Sequence, residues 1–75
     1  MDKKVFLLDK ERYTAEMVAN LTEKDLEEWV AEEDYNDDHT IVKIEANGYN
    51  SAKEAIISEM PFADIDDYYV FAFGF

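Results

Sequence analysis

Apolar residues along this chain occur in three short runs that predict β-strands. Residues 5–8 are continuously apolar between charged neighbours, which is typical of a strand covered on both faces. Residues 40–46 alternate between an apolar and a largely polar face, and the Asn-Gly pair at 47–48 supplies turn chemistry after them. Residues 68–73, Tyr-Tyr-Val-Phe-Ala-Phe, give the strongest strand signal in the chain.

The segment between the first two strands predicts one or two helices. Thr14 is a candidate N-cap for a first helix over residues 15–21, and Thr22 is a second candidate, followed by first-turn acids. Leu26, Trp29 and Val30 then give the i, i+3, i+4 spacing of an amphipathic helix. A single helix through both segments would keep the same phase, but we expect a break at Thr22. We also expect Trp29 to be a main anchor of the core, packed against sheet residues such as Val42 or Ile44.

A third helix is predicted between the second and third strands. Ser51 and Glu54 have the spacing of a capping box, and Pro61 ends the helix. The order of elements is therefore strand, helix or helix pair, strand, helix, strand. This order predicts one α+β domain over residues 1–75, a two-layer sandwich in which a small three-stranded sheet carries its helices on one face.

Charge is the most unusual property of the composition. The 75 residues carry 19 acidic and 7 basic side chains, a formal net charge of −12, and nine of the acids lie in residues 23–38. The negative electrostatic field of these acids repels nucleic acid phosphates and anionic membranes, so we expect neither as a direct partner. It favours cationic partners. We also expect the crowded acids to make the protein more stable at pH 4–6 or in added salt, because compaction would raise carboxylate pKa values.

The composition also indicates the cellular compartment of the protein. The chain has no cysteine, which excludes disulfides and thiolate metal sites. Its longest apolar runs fall far short of the roughly 20 residues of a membrane helix, and the N-terminal run is too short for a signal-peptide core. We therefore expect a soluble cytoplasmic domain. The short acidic pattern resembles many bacterial reading frames, and no motif in it is specific to a family.

Motifs that would indicate catalysis or metal binding are weak or missing. The sequence from Asp34 to Glu45 resembles an EF-hand calcium loop in its spacing of acids, but His39 occupies the glycine position and a strand replaces the second helix. His39 is also the only histidine, and neither Gly48 nor Gly74 belongs to a phosphate-binding loop. We expect no catalytic residues, no cofactor and no metal.

Two kinds of surface could instead bind a partner. Tyr69, Phe71 and Phe73 share one face of the last strand, and an open second face of the sheet would expose them to a protein partner or a second copy. The acids of the helix, Glu27, Glu28 and Glu32, form the other surface. The sequence thus predicts a non-enzymatic interaction module, a regulator or inhibitor that binds a basic partner or forms a homodimer. The alternative is a nucleic-acid mimic that occupies a basic DNA-binding surface.

Overall fold

The computed structural model describes residues 2–36 and 40–75, and it confirms the α+β class and the order of elements. These described residues form a three-stranded antiparallel sheet, three α-helices and a short 3₁₀ turn. The strands are β1 (Lys4–Asp9), β2 (Ile41–Glu45) and β3 (Tyr68–Phe73), the helices are α1 (Ala15–Val18), α2 (Glu23–Tyr35) and α3 (Ala52–Glu59), and the 3₁₀ turn spans Ile65–Asp67.

The break between the first two helices is confirmed, so the alternative of one continuous helix is wrong. α1 is a single turn capped by Thr14, and Asn20 then takes a left-handed backbone conformation with φ of 65°. Thr22 begins α2 with a full capping box, because its hydroxyl accepts from the Asp25 amide at 3.2 Å and the Asp25 carboxylate accepts from the Thr22 amide at 3.0 Å. Local hydrogen bonding therefore sets this boundary.

The third helix also begins and ends where expected, with one difference at its start. Ser51 caps α3 by accepting from the Glu54 amide at 3.1 Å. The Glu54 carboxylate accepts from the Asn50 amide at 3.3 Å, one residue before the cap. Met60 is the C-cap, directly before Pro61.

β1 is the central strand of the sheet, whose order is β2-β1-β3. Both pairings are antiparallel; Leu7, for example, lies opposite Val42 on one side and Val70 on the other. The four apolar residues of β1 are fully buried. Since successive side chains of a strand point to opposite faces, both faces of the sheet must be covered.

The helices cover the two faces separately, so the expected placement of all helices on one face is wrong. Val5 and Leu7 pack against Ala55 and Ile56 of α3. On the opposite face, Phe6 and Leu8 pack in a second cluster with Val18 of α1 and Leu26 of α2. The molecule therefore has three layers, helix, sheet and helix, because a central strand that is apolar on both sides needs cover on both sides.

Trp29 belongs to this arrangement in a different way from the one expected. It is half-buried against the cluster of Phe6 and Leu8, whereas Val42 and Ile44 lie on the other face of the sheet. Its ring stacks on Tyr13 with centroids 6.0 Å apart and planes at 21°. The main anchors of the core are instead the largest fully buried side chains, which are Phe6, Leu7, Leu8, Leu26 and Val5.

Burial on both faces can be tested with two neighbouring leucines. We expect Leu7→Ala and Leu8→Ala each to lower the free energy of unfolding by about 2–5 kcal/mol, because each removes a fully buried side chain from a different cluster. Val70→Ala, on the 38% exposed cross-strand partner of Leu7, should cost less than about 1 kcal/mol. Urea unfolding gives all three values. A sheet covered on one face only would make one of the two leucines tolerant.

Candidate functional site

The aromatic residues of β3 lie together, but they belong partly to the core. Tyr69, Phe71 and Phe73 share the face that α2 covers and are half-buried against the cluster around Phe6 and Leu8. Phe6 and Phe73 meet edge to face, with centroids 5.9 Å apart. The structure therefore confirms that they share a face but does not leave them on a bare surface.

The backbone edge of β3 is the more exposed feature of this strand. Among the described residues, β3 pairs with β1 alone, so its other side is an edge of the sheet. None of its six residues is charged or proline, whereas the opposite edge strand, β2, carries Lys43 and Glu45. Val70 on its other face is 38% exposed, and Phe75 beyond it is 49% exposed.

Two lysines lie over aromatic rings near the ends of this strand. The Lys10 ammonium is 5.5 Å from the centroid of Tyr69, and the Lys3 ammonium is 5.7 Å from that of Phe75. Lys10 also lies beside Asp66 and Asp67, the acids that directly precede the strand, so charges of both signs meet at that end.

The three acids expected to form one surface are separated by the structure. Glu27 faces the sheet, where its carboxylate accepts from the ammonium groups of Lys4 at 3.1 Å and Lys43 at 3.0 Å. The hydrogen bond from Lys43 lowers the pKa of Glu27, and the bond to Glu27 raises the pKa of Lys4. Glu27 therefore attaches α2 to β1 and β2, while Glu28 and Glu32 are exposed.

Glu33 is a second inward acid, which the sequence reasoning missed. Its carboxylate accepts from the backbone amides of Thr40 at 2.7 Å and Ile41 at 2.9 Å, and from the Tyr13 hydroxyl at 2.9 Å; the Thr40 hydroxyl also donates to it. Burial would raise the pKa of Glu33, but these hydrogen bonds outweigh burial and lower it. One signal was present: Glu33 follows Trp29 by four residues and so lies on the apolar stripe of α2.

Beside Glu33 lies a cavity of about 310 Å³ at the C-terminal end of α2. Trp29, Glu32, Glu33 and Asn36 line it from the last turns of the helix, and Tyr13 lines it from the loop before α1. Residues 29, 32, 33 and 36 share one side of a helix by their spacing. The cavity thus combines two stacked aromatic rings with two carboxylates and one amide, and we refer to it as the Tyr13–Trp29 cavity.

The residues of the EF-hand-like segment, Asp34 to Glu45, are not gathered into a cluster of metal ligands within the described part of the chain. Asp38 and His39 lie outside the described residues. Asn36 caps the end of α2, and Glu45 ends an extended strand. Over residues 2–36 and 40–75, no group of three or more His, Cys, Asp or Glu side chains is arranged to hold a metal ion. In those same ranges, no helix is both long and apolar enough to cross a membrane.

The specific contacts predict the opposite dependence of stability on pH from the one expected from charge crowding. The pKa values of Asp25, Glu27 and Glu33 are all lowered. A lowered pKa in the folded state stabilises the protein above the ordinary values of 3.8 for Asp and 4.5 for Glu, and this stabilisation is lost as pH falls through the folded-state values. We therefore expect the free energy of unfolding to decrease below pH 4.5, and not to increase between pH 6 and 4.

Replacement of Glu33 tests whether its hydrogen bonds cause this loss of stability at acidic pH. Glu33→Gln should lower the free energy of unfolding at pH 7 by about 1–3 kcal/mol, because an amide cannot accept all four hydrogen bonds. It should also weaken the loss of stability at acidic pH. Glu28→Gln, an exposed acid on the same helix, should change both quantities little. Thermal and urea unfolding between pH 7 and 3 at constant ionic strength measure this, and equal behaviour of the two variants would contradict the assignment.

Comparison with known proteins identified no relative of this chain. Neither a family model, nor a curated protein, nor a solved structure matches the chain. What the protein does therefore has to follow from the geometry and charge of its described residues.

Proposed function

We propose that this chain is a non-enzymatic interaction module that binds a protein partner, or a second copy of itself, along the edge of β3. The observation that carries the proposal is the uncharged edge. Edge strands are normally protected by charged residues, proline or bulges, because their free backbone groups pair readily with other chains. Although 35% of the chain is charged, the six residues of the edge strand β3 are all uncharged, so the strand itself lacks this protection.

Strand addition fits the composition of β3. An added strand gains affinity from backbone hydrogen bonds and specificity from its side-chain contacts on both faces. β3 offers Tyr69, Phe71 and Phe73 on one face and Val70 on the other, each partly accessible. Lys10 and Lys3 lie over rings near its ends, and Lys10 offsets part of the charge of Asp66 and Asp67 beside it.

The carboxylates support a role other than catalysis. A general acid that works at neutral pH needs a raised pKa, which burial or a neighbouring like charge provides. Asp25, Glu27 and Glu33 have lowered pKa values, and their oxygens are engaged in a helix cap, ion pairs or hydrogen bonds within the fold. These groups stabilise the structure.

A nucleic-acid mimic is the second candidate, and the charge density favours it. A net charge of −12 in a body 29 Å long corresponds to about one charge per 2.4 Å, compared with about one per 1.7 Å along double-stranded DNA. Glu28 and Glu32 lie one turn apart on the exposed side of α2. Glu27, which faces the sheet between two lysines, does not contribute to such a row.

A lysine at the β3 edge tests the proposal. Val70→Lys places a charge on the strand, and Ile57→Lys makes the same chemical change at a 58% exposed position of α3. We expect Val70→Lys to abolish self-association in sedimentation experiments, or the retention of a host protein on the immobilised chain, and Ile57→Lys to have no effect. Contact at an uncharged edge should persist or strengthen as salt increases from low to moderate concentration.

Two outcomes would contradict the edge as the binding element. One is binding that Val70→Lys leaves intact but that Glu28→Gln and Glu32→Gln weaken and that salt abolishes, which is the behaviour of a nucleic-acid mimic. The other is a wild-type chain that is monomeric at high micromolar concentration and that, when immobilised, retains the same host proteins as the Val70→Lys variant or none at all.

A further inference from the structure

We infer that the Tyr13–Trp29 cavity is a binding site for a planar organic cation, namely the guanidinium group of an arginine side chain from another molecule. The cavity is lined by two aromatic side chains, two carboxylates and one side-chain amide. It lies at the C-terminal end of α2, and none of its lining residues belongs to β3. The inference therefore does not depend on strand addition at the β3 edge.

The aromatic pair supplies the surface on which a planar cation can stack. Tyr13 and Trp29 are held at 6.0 Å and 21° by neighbouring contacts, since the Tyr13 hydroxyl donates to Glu33 at 2.9 Å and both side chains pack against the cluster around Phe6 and Leu8. Tryptophan is the strongest cation–π partner among the side chains, and arginine is its most frequent cation. The rings therefore keep their geometry without a ligand.

The two carboxylates have different roles in the cavity. Glu33 is committed to amide and hydroxyl donors, and its low pKa keeps it ionised, so it contributes fixed negative charge to the wall. Glu32, its neighbour, is exposed and lines the same cavity. A carboxylate in this position can accept two parallel N–H bonds from a guanidinium group, and Asn36 can contribute its side-chain oxygen.

The position of these acids on the helix is a second, independent observation. The C-terminus of a helix carries partial negative charge and normally favours basic residues. The last turn of α2 has no basic residue, and the cavity-lining acids Glu32 and Glu33 lie in it. The carboxylates of Glu32 and Glu33 therefore add to the partial negative charge of the helix C-terminus at the cavity, which favours a cation there.

The shape and chemistry favour guanidinium over other cations. A guanidinium group is flat, weakly hydrated and forms bidentate pairs with carboxylates, whereas an ammonium group is a compact and strongly hydrated point charge. A metal ion would need more oxygen ligands, and in the described part of the chain no three acids are gathered to provide them.

Trp29 is the only tryptophan, so the chain contains its own reporter for this site. We would titrate the protein at constant ionic strength with N-acetyl-arginine amide, with the isosteric but uncharged N-acetyl-citrulline amide, and with N-acetyl-lysine amide. The arginine compound should change Trp29 fluorescence saturably in the millimolar range expected of one side chain. It should also shift the NMR signals of the Trp29 indole N–H and of residues 32, 33 and 36.

Two exposed acids provide the matched variants. Glu32→Gln and Glu28→Gln remove the same charge from the same helix one turn apart, but only Glu32 lines the cavity. Glu32→Gln should weaken arginine binding about fivefold, the effect of one exposed charged contact, and Glu28→Gln should leave it nearly unchanged.

Three results would overturn the inference. Equal weakening by both variants would show that the diffuse field of the protein merely concentrates cations. An equal response to the citrulline compound would show that charge is not recognised, and equal or tighter binding of the lysine compound would exclude a guanidinium-specific site. Loss of arginine binding leaves association at the β3 edge untouched, so the two proposals can fail separately.

Discussion

Burial of β1 on both faces is the constraint on which the rest of this structure depends. Its four consecutive apolar side chains are fully buried, two on each face, and they join both hydrophobic clusters of the molecule. A chain of this length buries only about 60% of its unfolded surface, so it has few residues with which to cover a sheet. Placing β1 in the centre lets one strand serve two cores, and each core then needs only a small amount of helix.

Glu27 and Glu33, the two inward acids of α2, are each compensated by groups of the sheet or of the residue before it, in a chain with a net charge of −12. The lysines of β1 and β2 that border the core, Lys4 and Lys43, both reach Glu27, and Glu33 accepts hydrogen bonds from the start of β2. These two acids join α2 to the sheet, in addition to Leu26. The acids with no such role, such as Glu28 and Glu32, are exposed, where water screens them.

With β1 in the centre, β2 and β3 are the two edge strands of the sheet, and the helices cover its faces. β2 carries Lys43 and Glu45, whereas β3 is uncharged and half-buried, so the order of the strands decides which of them are exposed at an edge. The C-terminal end of α2 has the opposite character, with acids and aromatic rings around a cavity. An apolar edge and an anionic aromatic cavity on one small domain are two chemically distinct surfaces.

The sequence alone determined the features that depend on neighbours within a few residues. Thr14, Thr22 and Ser51 cap helices through bonds to amides three residues away, and the strands follow from a continuous apolar run, from alternation and from aromatic content. Only the tertiary structure decided which strand is central, and with it the cover on both faces, because pairing joins residues more than 30 positions apart. It also decided that Glu27 and Glu33 turn inward while Glu28 and Glu32 do not. Helical spacing places Glu33 on the apolar stripe, but it does not show which donors an acid will meet. The donors to Glu27 and Glu33 are Lys4, Lys43, Tyr13 and Thr40, which come from other elements of the fold.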